Sequence, residues 1–300
     1  MRLDGVLFFP VTPFDADGSV NGQALTAHVA KGVAAGAGGV FAACGTGEFN
    51  ALSLDEYATV VRTSVAAASG HAPVLSGAGG SLPFAQSCAR AAAEAGADGL
   101  LLMPPYLVTA PATGLVDYVR QVAAVTDLPI IVYQRGTARF TPTAAVALTE
   151  LPSVLGFKDG LGDFDLLQRI ILRVREATDR DFTFFNGLPT AELTVPAYRG
   201  LGVPLYSSAV FAFAPEIALA FYKAVTGGDE VLVQRLLTSF YLPLVELRDL
   251  VPGYAVSLVK AGVRLRGLDA GSVRAPLVDA TPEHVAALER IIATGLELAG

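Results

Sequence analysis

The amino-acid sequence predicts an α/β protein, a (β/α)8 TIM barrel with a C-terminal helical extension, on three observations. The 300 residues are 52% hydrophobic and only 16% charged, which provides a large core and excludes global disorder. Short apolar runs alternate with longer Ala-rich segments up to about residue 210, and no linker interrupts them. The apolar runs number eight, which is the number of strands that closes such a barrel.

The eight apolar runs are the candidate strands. They do not alternate polar with apolar residues, which is typical of parallel strands that are covered on both faces. They span residues 5–9, 39–43, 73–76, 99–103, 129–133, 154–158, 182–186 and 203–207. A doubly wound open sheet is the alternative, but no G-x-G-x-x-G motif follows the first run.

The segments between the runs carry helix signals. Ser53 stands three residues before Glu56, which predicts a capping box at a helix start. Pro142 follows a threonine and fits a first helical position. Gly36 and Gly96 fall where helices should stop.

No further strand signal follows residue 215, so the rest of the chain is predicted to be helical. We expect residues 1–225 to form the barrel. Residues 226–300 would form an extension that packs on it within one structural unit.

Composition excludes several function classes. The net charge of −7 and the pI of about 5.0 argue against nucleic acid or an anionic membrane as partner. Cys44 and Cys88 form neither a disulfide framework nor a CxxC site, and the three histidines are scattered, so no metal is expected. Without a signal peptide or an unbroken apolar stretch of about 20 residues, the chain is expected to be a soluble, reduced, cytoplasmic protein.

Lys158 is the first candidate catalytic residue. Only four of the 21 basic residues are lysines, and Lys158 ends an apolar strand, where TIM barrels place their active sites. Burial there lowers the pKa of an amine, which can then form a Schiff base with a carbonyl substrate. A structural lysine paired with Asp159 is the alternative. Lys31, Lys223 and Lys260 lie in helical segments and are expected to be solvated.

Two other strand ends carry candidate groups. Tyr133 ends the fifth strand and could move protons between an imine and the substrate carbon, although a packed tyrosine with a bonded hydroxyl is the more common case. Gly45-Thr46-Gly47 follows the second strand and offers unobstructed backbone N–H groups to a carboxylate or phosphate. Such a loop also often merely turns the chain.

These residues together resemble the dihydrodipicolinate synthase/N-acetylneuraminate lyase family of class I aldolases and dehydratases. Four motifs in the expected order carry the resemblance over essentially the whole chain. They are Pro10-Val11-Thr12-Pro13-Phe14, Gly45-Thr46-Gly47-Glu48, Ile130-Ile131-Val132-Tyr133 and Gly156-Phe157-Lys158-Asp159. The resemblance implies a TIM barrel in which Lys158 forms the Schiff base and Tyr133 assists, with no cofactor.

Within the family, the motifs most resemble the branch that dehydrates and decarboxylates 5-dehydro-4-deoxyglucarate. The branch resemblance lies in the residues around Cys44, Tyr133, Lys158 and Asn186. Gly45 stands where the synthases have a threonine, and Gln134-Arg135 replaces their usual Asn-Val/Ile-Pro. Pro189 and Thr190 stand where sialic-acid lyases have acidic residues. A class I aldolase or lyase on a related 2-oxo-3-deoxy sugar acid, and a non-enzymatic binding barrel, are the alternatives.

The resemblance also implies roles for neighbouring residues. Gly45 and Thr46 would hold the carboxylate beside the ketone, and Arg135 or Arg139 the distal carboxylate of a keto diacid. Asn186, Ser207 and Ser208 are candidates for recognising substrate hydroxyls, although each serine could equally bond to nearby backbone. Tyr106 loosely matches a family tyrosine that reaches a neighbouring subunit, and the family implies a homotetramer or homodimer.

Overall fold

Eight parallel strands form a closed barrel in the computed structural model, which describes residues 3–300. Met1 and Arg2, at the start of the predicted barrel domain, lie outside the described residues. The strands are β1 (Leu7–Phe8), β2 (Gly39–Ala42), β3 (Val74–Ala78), β4 (Gly99–Leu102), β5 (Ile130–Gln134), β6 (Val154–Asp159), β7 (Thr183–Asn186) and β8 (Leu205–Ser208). Each strand pairs with its neighbours in sequence, and β1 closes the barrel on β8. The predicted TIM barrel and all eight strands are therefore confirmed.

A helix follows each strand and covers the outside of the barrel. These helices are α1 (Gly22–Ala34), α2 (Leu54–Ala68), α3 (Leu82–Glu94), α4 (Ala112–Ala123), α5 (Pro142–Thr149), α6 (Phe164–Ala177), α7 (Val195–Gly200) and α8 (Pro215–Gly227). The predicted capping box is confirmed, because the Ser53 side chain accepts from the Glu56 N–H and the Glu56 carboxylate accepts from the Ser53 N–H. Pro142 lies at the start of α5, and Gly36 and Gly96 follow α1 and α3 in a left-handed conformation.

The C-terminal part is helical, as predicted. It contains α9 (Glu230–Leu236), a π-helical turn (Leu237–Tyr241), α10 (Leu242–Asp249), α11 (Tyr254–Leu265) and α12 (Pro282–Ala299). Residues of α10 and α11 and of the segment after α11 line the same cavity as the ends of the barrel strands. The extension therefore contributes to the mouth of the barrel.

The prediction that Lys260 is solvated is wrong. The Lys260 side chain on α11 is 0% exposed, and its Nζ lies 2.8 Å from Oε1 of Glu48. The ammonium also donates to the Ser272 carbonyl at 2.7 Å and lies over the Phe14 ring. Its pairing with a carboxylate distant in sequence allows the charge to be buried. Lys31 and Lys223 are exposed, as expected.

Among residues 3–300, no helix combines the length and apolar character that crossing a membrane requires.

Candidate active site

Strand register places Tyr133 and Lys158 side by side inside the barrel. In the ladder between β5 and β6, Tyr133 is the partner of Lys158, and in the next ladder Lys158 is the partner of Phe185. Successive side chains on a strand point to opposite faces. The next row, formed by Gln134 and Asp159, therefore points outward, where the Gln134 amide donates to Asp159 at 2.7 Å.

The Lys158 amine lies in an apolar, aromatic environment. Its Nζ is 4.3 Å from the centroid of the Phe9 ring and 4.6 Å from that of Tyr133. Burial lowers the pKa of Lys158 to about 7, and the nearby Arg135 charge lowers it further while Cys44 opposes the shift. A substantial fraction of the amine is therefore unprotonated near neutral pH and can act as a nucleophile.

Asp159 does not neutralise this amine. Its carboxylate accepts the Gln134 amide, the Tyr198 hydroxyl and the N–H groups of Leu161 and Gly162. No ion pair to Lys158 is present within residues 3–300. The arrangement contradicts the alternative of a lysine paired with Asp159.

The Tyr133 ring packs against Lys158, and a hydrogen bond fixes the position of its hydroxyl. Its hydroxyl donates to the carbonyl of Gly187 at 2.7 Å, and its ring lies against the Lys158 ammonium. Burial raises the pKa of Tyr133 to about 12, although the Arg135 charge opposes the shift. The phenol is therefore protonated at neutral pH, and it can donate to an oxygen bound beside Lys158 when its proton turns away from the Gly187 carbonyl.

Gly187, after β7, allows the close approach of these two side chains. A Cβ at this position would lie 2.7 Å from Cγ and Cε of Lys158 and 2.8 Å from the Tyr133 ring. Real Cβ atoms do not approach other atoms so closely, so a side chain here would displace Lys158 or Tyr133. The glycine is required by this packing.

The Gly45-Thr46 loop lies on the same cavity as Lys158. The backbone N–H groups of Gly45 and Thr46 donate to no protein acceptor within residues 3–300. The Thr12 hydroxyl donates to the Gly47 carbonyl at 2.7 Å, and this hydrogen bond holds the end of the loop in place. Free N–H groups on a held loop can bind a carboxylate at low ordering cost.

The two candidate arginines lie in different surroundings. Arg135 lines the cavity, and its charge acts on both Tyr133 and Lys158. Arg139 is half exposed and pairs with Asp163, with 2.9 Å between Nη2 and the carboxylate oxygen. Arg139 is not among the residues that line the cavity.

Side chains alternate between the two faces of a strand, and this divides the three candidate hydroxyl-binding residues into one that faces the cavity and two that point outward. Ser207 lines the cavity, whereas its neighbour Ser208 points outward and donates to Glu192 at 2.5 Å. The Asn186 amide also points outward, because Asn186 is the ladder partner of Asp159. It donates to the Ala191 carbonyl and the Thr194 hydroxyl. Only Ser207 of the three therefore faces the cavity.

The cavity above Lys158 measures about 520 Å³, a volume typical of small-molecule sites. Its lining includes Tyr106, which the sequence already indicates, and also Thr190, Arg248 and Arg274. The sequence does not point to Arg248, since no motif or strand end marks an arginine in a helix 90 residues after Lys158. Within residues 3–300, no cluster of three or more His, Cys, Asp or Glu side chains is arranged to hold a metal ion.

Comparisons with known proteins agree with this geometry. Proteins named "Probable 5-dehydro-4-deoxyglucarate dehydratase" in Streptomyces griseus and "Probable 5-dehydro-4-deoxyglucarate dehydratase 1" in Streptomyces coelicolor are 59% and 57% identical to the chain. The first alignment covers 98% of this chain and 92% of the relative, and the second covers 97% and 92%.

Solved structures have the same fold. The dihydrodipicolinate synthase of Bacillus clausii superposes with a TM-score of 0.88 at 26% identity, over 97% of each chain. That of Oceanobacillus iheyensis gives 0.88 at 23% identity, over 97% of this chain and 96% of the other. The model of the dihydrodipicolinate synthetase family matches residues 2–294. With this match, and with the paired lysine and tyrosine at the barrel mouth, the chain belongs to the dihydrodipicolinate synthetase family.

Proposed function

We propose that this protein is a carbon–oxygen lyase that converts 5-dehydro-4-deoxyglucarate to 2,5-dioxopentanoate, CO2 and water. The observation that carries the proposal is the buried, unpaired Lys158 amine, whose Nζ lies 4.6 Å from the centroid of the Tyr133 ring. Relatives that are 59% and 57% identical over nearly the whole chain bear the name of this dehydratase. Their names supply the substrate, and the site supplies the chemistry.

The first step is imine formation. The unprotonated Lys158 amine attacks the ketone carbon, and loss of water gives a protonated imine. Tyr133 gives up its hydrogen bond to the Gly187 carbonyl and donates its proton to the ketone oxygen as this becomes the hydroxyl of the carbinolamine. The Tyr133 ring stabilises the cationic imine. The surrounding apolar side chains keep the amine available by disfavouring its charged form.

Dehydration follows from the acidity of the CH2 next to the imine. Once Tyr133 has given its proton to the departing ketone oxygen, its phenolate is proposed to take one proton from this carbon, which gives an enamine. The enamine electrons expel the hydroxyl on the next carbon, and that hydroxyl takes back the proton that Tyr133 removed and leaves as water. The product is an iminium conjugated with a carbon–carbon double bond.

Decarboxylation uses the same electron sink. The bond between the distal carboxylate and its carbon breaks, CO2 leaves, and the electron pair moves along the conjugated chain to the imine nitrogen. Protonation of the resulting dienol and hydrolysis of the imine give 2,5-dioxopentanoate and free Lys158. One amine thus accepts electrons in both steps, and no cofactor is part of the proposed route.

Substrate binding is proposed for the polar groups that face the cavity. The N–H groups of Gly45 and Thr46 are free to hold the carboxylate beside the ketone. Arg135 and Ser207 line the same cavity and can donate to substrate oxygens. Asn186 and Ser208 bond outside the barrel, so the proposal gives them no substrate contact.

A product assay tests the function. Incubation with 5-dehydro-4-deoxyglucarate is expected to release one CO2 per 2,5-dioxopentanoate formed, as followed by mass spectrometry and trapped CO2. Lys158→Met is expected to form neither product. Release of pyruvate would instead assign the protein as an aldolase on the same Schiff base, and the dehydratase proposal would then be wrong.

The same proposal includes a homotetramer or homodimer in the cytoplasm. Tyr106 lines the cavity and is followed by Leu107, which is fully exposed, and by the exposed Val108. Exposed apolar side chains beside an active site are typical of surfaces that a second subunit covers. Light scattering of the purified protein measures the assembly, and a monomer at assay concentration would contradict it.

A further inference from the structure

Thr190 and Arg248 form one wall of the cavity, and the contact between them joins the barrel to the C-terminal extension. Thr190 follows β7, Arg248 lies on α10, and both line the cavity that contains Lys158. Nη1 of Arg248 donates to Oγ1 of Thr190 at 2.8 Å across 58 residues of sequence. A guanidinium from the extension thus enters the substrate cavity.

Thr190 is held in an unfavourable backbone conformation. Its φ of 49° and ψ of 61° lie in the left-handed region, which is costly for a β-branched residue. Because its hydroxyl oxygen accepts from Arg248, the hydroxyl proton is available to a second group. No protein acceptor within residues 3–300 takes this proton. A ligand in the cavity can take it.

The Arg248 guanidinium has N–H groups that no acceptor among residues 3–300 uses. A guanidinium has five N–H groups, of which Nε and one on Nη2 donate to Asp249 and one on Nη1 donates to Thr190. Two N–H groups are left, while the Arg248 side chain is only 18% exposed. The pairing with the exposed Asp249 also reduces the net charge that a ligand at Arg248 experiences.

The other two cavity guanidiniums are less suited to the far end of a substrate. The Arg274 guanidinium already donates to the Glu56 carboxylate and to the carbonyls of Gly18 and Ala51. Arg135 follows Tyr133 by two residues and lines the cavity that contains Lys158, so it lies near the reacting end.

We propose that Arg248 and Thr190 form a subsite for the distal carboxylate of a six-carbon 2-oxo diacid. The subsite deepens the proposed function and rests on the Schiff base at Lys158. A carboxylate accepts two N–H bonds from one guanidinium and a third bond from a neighbouring hydroxyl. Because Asp249 already neutralises part of the guanidinium charge, a carboxylate at this subsite is held less strongly than by an unpaired arginine.

Reductive trapping tests the subsite without requiring dehydration. Each 2-oxo acid is added with cyanoborohydride, and the concentration that gives half-maximal adduct is measured by intact-protein mass spectrometry. The probes are pyruvate, 2-oxohexanoate and 2-oxohexanedioate, which differ in length and in the distal carboxylate. The unmodified protein is expected to prefer the diacid over 2-oxohexanoate by about tenfold to a hundredfold, the range expected for hydrogen bonds to a charged group.

Variants assign this preference to residues. Arg248→Met is expected to remove it, Thr190→Val to reduce it and Thr190→Ser to retain it, since serine keeps the hydroxyl. Arg235→Met is the matched control, because Arg235 is an exposed arginine of the same extension. Pyruvate, which has no distal carboxylate, is expected to label these variants equally and so also reports correct folding.

The outcomes separate this inference from the function on which it rests. Equal trapping of both six-carbon acids by the unmodified protein would overturn the subsite and leave the Schiff base intact. Loss of the preference in Arg135→Met, with Arg248→Met unchanged, would assign the carboxylate to Arg135 and also overturn the subsite. Failure of all three acids to label Lys158 would overturn the proposed function and the subsite together.

Discussion

Nζ of Lys260 lies 2.8 Å from a carboxylate oxygen of Glu48, and both side chains are almost completely buried. Glu48 directly follows the Gly45-Thr46-Gly47 loop, and its other oxygen accepts from the backbone N–H of Arg274 at 2.8 Å. Both partners of Glu48 belong to the C-terminal extension. The extension therefore holds the end of the loop proposed to bind the substrate carboxylate.

Removing Lys260 is expected to destabilise the protein. Lys260→Met leaves Glu48 buried without its ion-pair partner, which costs about 3–5 kcal/mol in the free energy of unfolding. Lys223→Met, at an exposed lysine of α8, is the control and is expected to change stability by less than about 0.5 kcal/mol. Urea unfolding measures both, and similar stabilities for the two variants would contradict a buried pair.

The pH dependence of imine formation should follow the Lys158 amine. Because only the unprotonated amine attacks a ketone, the rate of trapping with pyruvate and cyanoborohydride is expected to rise with pH and to level off above about 7. Arg135→Met removes a charge that lowers the pKa of Lys158, so its midpoint is expected at higher pH. A rate that still increases up to the ordinary lysine pKa near 10.5 would show an amine without this environment.

Tyr133→Phe is expected to slow the reaction while the fold is retained. The phenol donates to the Gly187 carbonyl and is proposed to move protons, a role that contributes about 10²–10⁴-fold in kcat. Tyr118→Phe is the matched control, because the Tyr118 hydroxyl donates to the Gly80 carbonyl at 3.1 Å on the outside of the barrel. Steady-state kinetics compare the two, and a wild-type kcat in Tyr133→Phe would exclude the tyrosine from proton transfer.

Gly187→Ala should displace the reacting groups by steric overlap. The new Cβ would lie 2.7 Å from Lys158 Cε, so we expect a slower trapping rate and a loss of about 1–3 kcal/mol in stability. Gly200→Ala in α7 is the control, since its Cβ would meet no atom within 4 Å. Trapping and urea unfolding of both variants test this packing, and unchanged trapping by Gly187→Ala would contradict it.

The sequence predicts the barrel well because its signals are local. Unalternated apolar runs mark strands covered on both faces, and Ser53 and Glu56 mark a helix start without help from distant residues. The end of an apolar strand likewise identifies Lys158 and Tyr133, because the fold brings strand ends to one face.

Contacts between distant segments could not be predicted in this way. Lys260 has the sequence surroundings of a surface lysine, and only the approach of Glu48 from the barrel makes its burial possible. The Arg248 contact with Thr190 likewise depends on how α10 packs over the barrel. The strand that contains Ser207 and Ser208 was predicted. The sequence does not show which of its alternating side chains point into the barrel, so only the structure decides that Ser207 faces the cavity.

The most direct test of the account is to locate the covalent adduct. The protein is incubated with 5-dehydro-4-deoxyglucarate and borohydride, digested, and sequenced by tandem mass spectrometry. The account predicts a reduced adduct on Lys158 and none on Lys31, Lys223 or Lys260, with no adduct and no CO2 release in Lys158→Met. An unmodified Lys158 together with a Lys158→Met variant that still releases CO2 would contradict it.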